Sequence, residues 1–533
     1  MALSTIPIAD PYAWALGSCR RRGLRCAGTR MRGLHQGYPS VGPNPSMLTL
    51  DNGLIKIGLD PQQGGQTYYL GLSPSHPNYA SYPGNLENAN GRGAGMGVTP
   101  YSGPVPYNDP VTGAAPAPNA QWMWNPVKQG DNGVWYGRIQ GYGSDGATLY
   151  SVAHGHQWML NNILEQYCLF EATVHLLPGL PVAQVTELLT LSRPDLTFYG
   201  YWQQENYCYT NGGQAVGQEL AYLWYENEAG TLTQNHYYGP PPWAHFFSQG
   251  WAAHVTLPGV VAGFPNGFGA GVITPGTCAF TGGFNSGDPL NPIKPGGPTA
   301  FPNGYKAGLW GATHLDHNIV YGKSYYLAVG DLVNDIQSFA RSIRSSVPPS
   351  YNFIADRQDF RYVNALDSGW PIQGYLHVTL TRNDPQLWSP VGYWATSQAP
   401  FLYVKLRYNV TGPDTLTLFP QTGFNTASGF GTTDATIKSQ VPIIPDGQWH
   451  VYKLPMPANA PPNIYGVRLD LIGSGLTNPG TVDVAWIVPG AAAPSYGVGA
   501  SMAREPFRRN YSSEVWRSIC ALEKYRVNQA RVV

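Results

Sequence analysis

Three side chains in this sequence have the chemistry of a hydrolytic site: Glu205, Asp316 and His317. Glu205 lies among aromatic residues, which would raise the pKa of a carboxylate or stack on a sugar ring. Asp316 could act as a general acid or base, and His317 could orient a hydroxyl group. Because glycosidases use two carboxylates about 5–10 Å apart, Glu205 and Asp316 are the first pair predicted to cleave a glycosidic bond. A hydrogen-bonded structural glutamate and a buried Asp/His pair are the alternatives.

The His-x-Asp-His cluster from His314 to His317 does not predict a metal site. On an extended strand His314 and Asp316 point to one side and His317 to the other, so a third ligand would have to come from elsewhere. The sequence also lacks a Gly-rich phosphate loop, a Gly-x-Ser-x-Gly elbow and a His-Glu-x-x-His helix. We therefore expect no metal and no cofactor.

Charge is balanced overall but unevenly distributed. The 533-residue chain has a formal net charge of +0, whereas residues 1–35 carry +5 and residues 501–533 carry +4, which leaves −9 on the body. A nucleic-acid-binding domain would concentrate basic residues on one folded face among stacking aromatics, so no nucleic-acid partner is predicted. The basic ends are either solvated tails or arms that dock on an acidic neighbouring copy.

Membrane and redox signals are weak. No stretch of 18 apolar residues occurs, so no membrane span is predicted. Asp10 and Pro11 interrupt the first apolar region, and arginines follow it instead of preceding it, which is unlike a signal peptide. The six cysteines are widely spaced, without a CxxC pair or the density of a disulfide scaffold.

Short alternating apolar segments, separated by Gly, Pro and Asn, predict a mainly β chain. Residues 54–59 and Val182–Leu191 are examples of such half-buried strands. The main exception is Val333–Arg344, whose apolar residues fall on one helical face, with Asp331 as its N-cap. Residues 347–350 contain two prolines and form the predicted linker.

A second β unit is predicted over residues 351–490. Alternation places Leu402, Val404, Leu406 and Tyr408 on one face of a strand, and Tyr403, Lys405 and Arg407 on the other. Further strands are predicted at 449–454, 467–472 and 482–487. The segments PDGQWHVYKL, YGVRLDLIG and TVDVAWI resemble the final strands of jelly-roll modules that are often attached to carbohydrate-active proteins.

Four motifs occur in order: DNGLIKIGLDPQQGGQTYYL from Asp51, MWNPVKQGD from Met123, YWQQENYCYTNGG from Tyr201 and HLDHNIVYG from His314. Over roughly residues 48–345 they resemble a family of large secreted bacterial β-proteins with a galactose-mutarotase-like supersandwich. The resemblance implies an all-β fold, with a large antiparallel β-supersandwich followed by a jelly-roll β-sandwich and basic terminal arms. The predicted parts are an N-terminal arm (1–47), the supersandwich (48–346), the linker (347–350), the jelly roll (351–490) and a C-terminal tail (491–533).

The resemblance also implies an extracellular or cell-surface location, a glycan partner and a set of site residues. Glu205 matches a Gln-Glu pair that precedes a Tyr-x-Asn-Gly turn in that family, and Asp316 and His317 match its last motif. Loops that could line a glycan cleft complete the site. The predicted substrate-binding residues are Trp124, Asn125, Asp131, Trp202, Tyr209 and Asn211.

Two classes of function remain open at this point. The first is a carbohydrate-binding or carbohydrate-processing protein, hydrolytic if it is an enzyme. The second is a non-catalytic structural subunit that self-assembles into an extracellular filament or surface layer. The family's Asn-His-Asp-type stretch is replaced here by residues 88–93, which favours lost activity.

The C-terminal tail and two sequons add to these alternatives. The tail offers an amphipathic helix over Ser512–Arg526, whose apolar face packs on its own body or on another copy as a homo-oligomer. Asn409 and Asn510 lie in sequons that would be glycosylated in a glycosylating secretory pathway.

Overall fold

The protein is described here from a computed structural model, which covers residues 25–26, 47–60, 66–86, 96–100, 122–124, 138–158, 164–191, 202–211, 220, 222–235, 245–276, 278–281, 304–313, 320–344, 347–354, 357–358, 360–367, 372, 374–426, 429–473 and 480–494. The regular secondary structure of these ranges is almost entirely antiparallel β-strand arranged in packed sheets, which confirms the predicted all-β sandwich class.

The strands of the first part of the chain are β1 (Arg25–Cys26), β2 (Leu48–Asp51), β3 (Ile55–Asp60), β4 (Gln66–Leu72), β5 (Met96–Pro100), β6 (Trp122–Trp124), β7 (Arg138–Ser144), β8 (Thr148–Trp158), β9 (Leu164–Leu176), β10 (Val182–Leu191), β11 (Trp202–Asn211), β12 (Tyr222–Glu226), β13 (Leu232–Asn235), β14 (His245–Ser248), β15 (Trp251–Val255), β16 (Phe268–Ile273), β17 (Cys278–Thr281), β18 (Gly304–Thr313) and β19 (Val320–Asp331). A short 3-10 helix covers Tyr79–Ser81. The predicted strands at 54–59 and 182–191 are present as β3 and β10. The N-terminal arm, predicted to be irregular, contains β1, which pairs with β7.

These strands form three sheets. Sheet A has the order β1-β7-β8-β9-β10-β19-β16-β15-β12-β13, with β6 paired to β8; sheet B is β2-β3-β4; sheet C is β14-β17-β18-β11-β5. The main apolar core lies between sheets A and B, where Ile55, Ile57 and Leu70 pack with Val185 and Leu327. In β3, burial of Ile55, Ile57 and Leu59 follows from the period-2 geometry of a strand with one face in the core, whereas β15 and β16 are buried at every position.

A helical segment packs on the other face of sheet A. It begins with a π-helical turn over Leu332–Gln337 and continues as α1 (Ser338–Ile343). The Asp331 carboxylate accepts hydrogen bonds from the amides of Val333 and Asn334, which confirms the predicted N-cap. Close approach of this segment requires Gly271, because a Cβ atom there would lie 2.6 Å from Ile336 Cγ2. The predicted helix is therefore present, but its first turn is π instead of α.

The second part of the chain contains β20 (Tyr351–Asn352), β21 (Arg361–Val363), β22 (Ala365–Asp367), β23 (Leu376–Leu380), β24 (Gln386–Trp388), β25 (Trp394–Ala395), β26 (Phe401–Asn409), β27 (Thr415–Asn425), β28 (Phe430–Thr433), β29 (Ser439–Pro442), β30 (Trp449–Pro455), β31 (Asn463–Ile464), β32 (Val467–Asp470) and β33 (Thr481–Gly490). A short 3-10 helix covers Thr396–Gln398. Sheet D has the order β22-β23-β33-β26-β30, with β20 on β33; sheet E has the order β21-β24-β32-β27-β28, with β29 on β27.

Sheets D and E enclose a separate apolar core. Leu402, Val404, Leu406 and Tyr408 of β26 all lie in it, as their alternation predicted. A register shift between Lys405 and Leu406 leaves Ala485 of β33 unpaired and places a β-bulge there. We call the side of sheet D that faces away from this core the outer face of sheet D, and use the same term for sheet E.

The two parts of the chain meet at an aromatic contact. Phe247 of β14 packs against Tyr393, Phe424 and Tyr465, with ring centroids 4.9–6.2 Å apart. The Tyr465 hydroxyl donates a hydrogen bond to Glu228 Oε1 at 3.0 Å. Burial and the charge of Glu228 raise the pKa of Tyr465, so this hydroxyl remains a donor at neutral pH.

Candidate functional site

The predicted residues of the first sandwich lie on two sheets. Glu205, Tyr209, Asn211 and Trp202 are on β11 of sheet C, where Glu205 pairs with Trp310 of β18. Trp124 ends β6 of sheet A and pairs with His156 of β8. The two tryptophans among the predicted substrate-binding residues therefore belong to different sheets.

Four other residues of the predicted site, Asn125, Asp131, Asp316 and His317, lie outside the described residues, as does the predicted glycosylation site Asn510. β18 ends at Thr313, which pairs with Trp202 at the start of β11, so Asp316 follows three residues after that pairing. A meeting of Asp316 and His317 with Glu205 stays a prediction.

Within the described part of the chain, polar chemistry and aromatic rings coincide on the outer face of sheet D. One row of this face crosses four strands, because His377 of β23 pairs with Asp483 of β33, Asp483 with Arg407 of β26, and Arg407 with Trp449 of β30. Directly cross-strand residues on one face have Cβ atoms about 4.5–5.5 Å apart, so these four side chains are neighbours.

Asp483 is the anchor of this row. Its side chain is only 1% exposed and accepts hydrogen bonds from Arg407 Nε at 2.6 Å and from His377 Nδ1 at 2.5 Å. Partial burial acts to lower the pKa of Arg407, but the hydrogen bond and charge of Asp483 outweigh it and the pKa is raised. Both oxygens of Asp483 are thus committed to positioning Arg407 and His377, which suits binding better than proton transfer.

Two aromatic rings cover Arg407. The guanidinium carbon lies 5.3 Å from the ring centroid of Tyr375 and 4.9 Å from that of Trp449, and the rings themselves are 5.4 Å apart in an edge-on arrangement. Both rings are partly exposed, and Val451, two residues along β30, is 52% exposed. The result is an accessible surface of apolar rings with fixed hydrogen-bonding groups beside them.

The next row along the same strands is polar and uncharged. Thr379 pairs with Thr481, and Thr481 with Asn409, whose Nδ2 lies 3.3 Å from the Thr481 hydroxyl. Thr379 and Asn409 are exposed, so the predicted glycosylation site Asn409 is accessible and shares the face with Trp449. Its glycosylation stays a prediction.

The outer face of sheet E has a similar composition but a different arrangement. Trp388 is flanked by Arg361 and Arg468, at 4.8 and 5.3 Å from its ring centroid. Arg468 is in turn bound by Asp470 through two hydrogen bonds of 2.6 Å and by Asp384 at 3.2 Å. Here the ring is covered on both sides and the flanking arginine is neutralised.

The described residues contain no group of three or more His, Cys, Asp or Glu side chains arranged to hold a metal ion. In the same ranges, no helix has the length and apolar character needed to cross a membrane.

Sequence reasoning missed the outer face of sheet D because its residues come from four strands between positions 375 and 486. No local motif joins them. The available signal was the alternation of β26, which placed Lys405 and Arg407 on the side away from the core. Trp449 in the PDGQWHVYKL segment was a second signal.

Comparison with known proteins adds a slight likeness of fold. No protein-family model and no curated protein sequence matches the chain. A solved structure from Escherichia coli K12, assigned as an aldose 1-epimerase, is 13% identical, covers 54% of this chain and 99% of its own, and has a TM-score of 0.29. An aldose 1-epimerase assignment from Klebsiella pneumoniae is 10% identical over 55% of this chain and 80% of its own, with a TM-score of 0.24. A CBM4 structure is 12% identical over 27% of this chain and 96% of its own, with a TM-score of 0.17. At these TM-scores function has to be judged from the side chains.

Proposed function

We propose that this protein binds carbohydrate through the outer face of sheet D. The observation that carries the proposal is the accessible Tyr375–Trp449 ring pair, held on a hydrogen-bonded row of His377, Asp483 and Arg407. Sugar rings present apolar C–H faces edged by hydroxyl groups. Aromatic rings can stack on the C–H faces, and guanidinium, imidazole and amide groups can hydrogen-bond to the hydroxyl groups.

The preorganisation of the row supports this role. Asp483 fixes Arg407 between two rings before any ligand arrives, so little side-chain entropy remains to be lost on binding. Thr379, Thr481 and Asn409 extend the face with neutral donors and acceptors, which could hydrogen-bond further hydroxyl groups.

Binding is proposed at this face without hydrolysis. Glycosidic cleavage uses two carboxyl groups about 5–10 Å apart, one as a general acid and the other as a nucleophile or general base, whereas Asp483 is fully engaged by its two partners. The hydrolytic hypothesis rests on Glu205, Asp316 and His317 and is a separate prediction. An extracellular setting, where polysaccharides are accessible, is part of the proposal.

The first test compares Trp449→Ala with the native protein by affinity electrophoresis in gels that contain a soluble polysaccharide. The panel includes hydroxyethyl cellulose, arabinoxylan, methyl-esterified pectin, polygalacturonate, alginate and chondroitin sulfate. We expect retardation of the native protein by at least one polysaccharide and a loss of roughly tenfold or more in affinity on removing the ring, by analogy with aromatic anchors of interfaces.

Trp388→Ala is the matched control, because it removes a tryptophan from the outer face of sheet E, where arginines already cover the ring. Circular dichroism and thermal unfolding of both variants establish that the sandwich is intact. Absence of binding to the whole panel, or equal losses in the two variants, would contradict the proposal.

A further inference from the structure

The outer face of sheet D carries more positive than negative charge. Lys405 and Arg407 lie on β26, and Lys453 lies on β30 opposite Tyr403, all on the side away from the core. Within the described residues the carboxylate of this face is Asp483, and Arg407 and His377 already bind it. Three basic side chains against one carboxylate give this face an excess of positive charge.

The two lysines are held by aromatic rings instead of by carboxylates. Lys453 Nζ lies 3.7 Å from the ring centroid of Phe401, and Lys405 Nζ lies 5.8 Å from that of Trp449. Neither makes an ion pair within the described part of the chain. A ring face attracts an ammonium group but leaves its N–H donors able to bind an anion.

The positions of the cations suit an extended anion. Residues two apart on a strand are separated by about 7 Å at roughly 3.3 Å per residue, so Lys405 and Arg407 repeat along β26, with Lys453 one strand away in the next row. A chain that lies along β26 and β30 would meet positive charge at successive rows and the rings of Trp449 and Phe401 beside it.

We infer that the ligand of this face is an acidic polysaccharide, a chain with carboxylate or sulfate groups on its sugars. This inference rests on the proposed function and names its ligand class. A nucleic acid is the less suitable polyanion, because the adjoining row of Thr379, Thr481 and Asn409 is neutral and the chain as a whole has no net positive charge.

The experiment uses probes that differ in charge but share a backbone. Binding of the full chain to polygalacturonate and to methyl-esterified pectin is compared in the same gels, with alginate and chondroitin sulfate as further acidic chains. The double variant Lys405→Gln/Lys453→Gln is the test. Lys438→Gln is the matched control, because Lys438 also lies above a ring, that of Phe419, but on the outer face of sheet E.

We expect at least one acidic chain to bind roughly tenfold more tightly than methyl-esterified pectin, and the double variant to lose most of that preference while the control keeps it. Added salt should weaken acidic-chain binding and leave neutral-chain binding unchanged.

Equal binding of neutral and acidic chains would overturn this inference and leave carbohydrate binding intact. Failure of every polysaccharide to bind would remove the proposed function itself. The assignment to a polysaccharide would be overturned if a thymidine oligonucleotide bound as tightly as the best acidic chain and if the double variant lost that binding.

Discussion

Replacing Glu226 by glutamine should loosen the helix that covers sheet A. Glu226 ends β12 and is 0% exposed. Its Oε1 accepts hydrogen bonds from Gln337 Nε2 at 2.8 Å and Arg341 Nε at 2.7 Å, and its Oε2 accepts from Trp251 Nε1 at 3.3 Å and from Arg344. One carboxylate therefore ties β15, the π-helical turn and the end of α1 together.

Glutamine has the same shape but a single acceptor oxygen. In one orientation its amide nitrogen would face Trp251 Nε1 and the Arg344 guanidinium, and in the other it would face Gln337 and Arg341. A donor therefore meets donors in either orientation. Removing one member of a buried ion pair costs about 3–5 kcal/mol, and leaving a buried donor unsatisfied costs about 1–3 kcal/mol. Because Arg341 is 55% and Arg344 23% exposed, water can replace part of the loss. We expect the free energy of unfolding to fall by about 3 kcal/mol at neutral pH.

The loss should depend on pH in a definite direction. Burial acts to raise the pKa of Glu226, but hydrogen bonds from Arg344, Arg341 and Trp251 outweigh it and hold the pKa below the ordinary value of 4.5. A lowered carboxyl pKa stabilises the folded state above the unfolded pKa, and this stabilisation is lost as pH falls through the folded value. The deficit of Glu226→Gln should therefore be full near pH 7 and shrink below about pH 4.

Urea unfolding at neutral and at acid pH measures the deficit in the free energy of unfolding, and hydrogen exchange of the α1 amides measures its location. Asp434→Asn is the control, because Asp434 is an exposed carboxylate bonded within its own turn to Thr436. The reasoning is refuted if Glu226→Gln unfolds like the native protein at pH 7, or if its deficit is the same at both pH values.

Two further predictions concern single positions. Burial is the main cause that raises the pKa of Asp470 to about 6, although hydrogen bonds from Arg468 act in the opposite direction. Because a raised carboxyl pKa destabilises the folded state above the unfolded pKa, the stability should fall as pH rises from about 4 to about 6. Asp470→Asn should remove this slope in thermal unfolding scans. Persistence of the full slope in the variant would assign it to other groups. Gly330→Ala should lower the free energy of unfolding in urea by at least about 1 kcal/mol more than Gly146→Ala does. Both glycines have positive φ, but a Cβ atom at Gly330 would lie 2.2 Å from Asp335 Oδ2, whereas one at Gly146 meets nothing within 4 Å. Equal costs would show that Asp335 moves freely.

Local sequence pattern was sufficient wherever one face of an element is buried and the other is polar. The alternation of β26 placed Leu402 and Leu406 in the core, and the helical spacing from Val333 with Asp331 before it predicted both the helix and its cap. In such segments the residue order itself states which side faces water.

Pattern failed where both sides of a strand are apolar. Residues 484–488 form a continuous apolar run in β33, so alternation could not reveal that the bulge at Ala485 moves Trp486 to the outer face. There Trp486 and Val488 form a small buried cluster with Tyr403. A bulge changes the parity of every residue after it, and only the pairing with β26 shows where it falls.

Composition alone also could not separate the two outer faces of the second sandwich, since both combine cations with aromatic rings. On sheet E, Trp388 has an arginine on each side, and Asp470 and Asp384 neutralise Arg468 in the adjoining row. On sheet D, Asp483 is shared by Arg407 and His377, which leaves Lys405 and Lys453 with rings as their only described partners. The difference lies in cross-strand register, which decides whether each cation meets a carboxylate. A surface whose charges are satisfied within the chain mainly stabilises its own sheet, whereas unsatisfied cations beside accessible rings retain the capacity to bind a ligand.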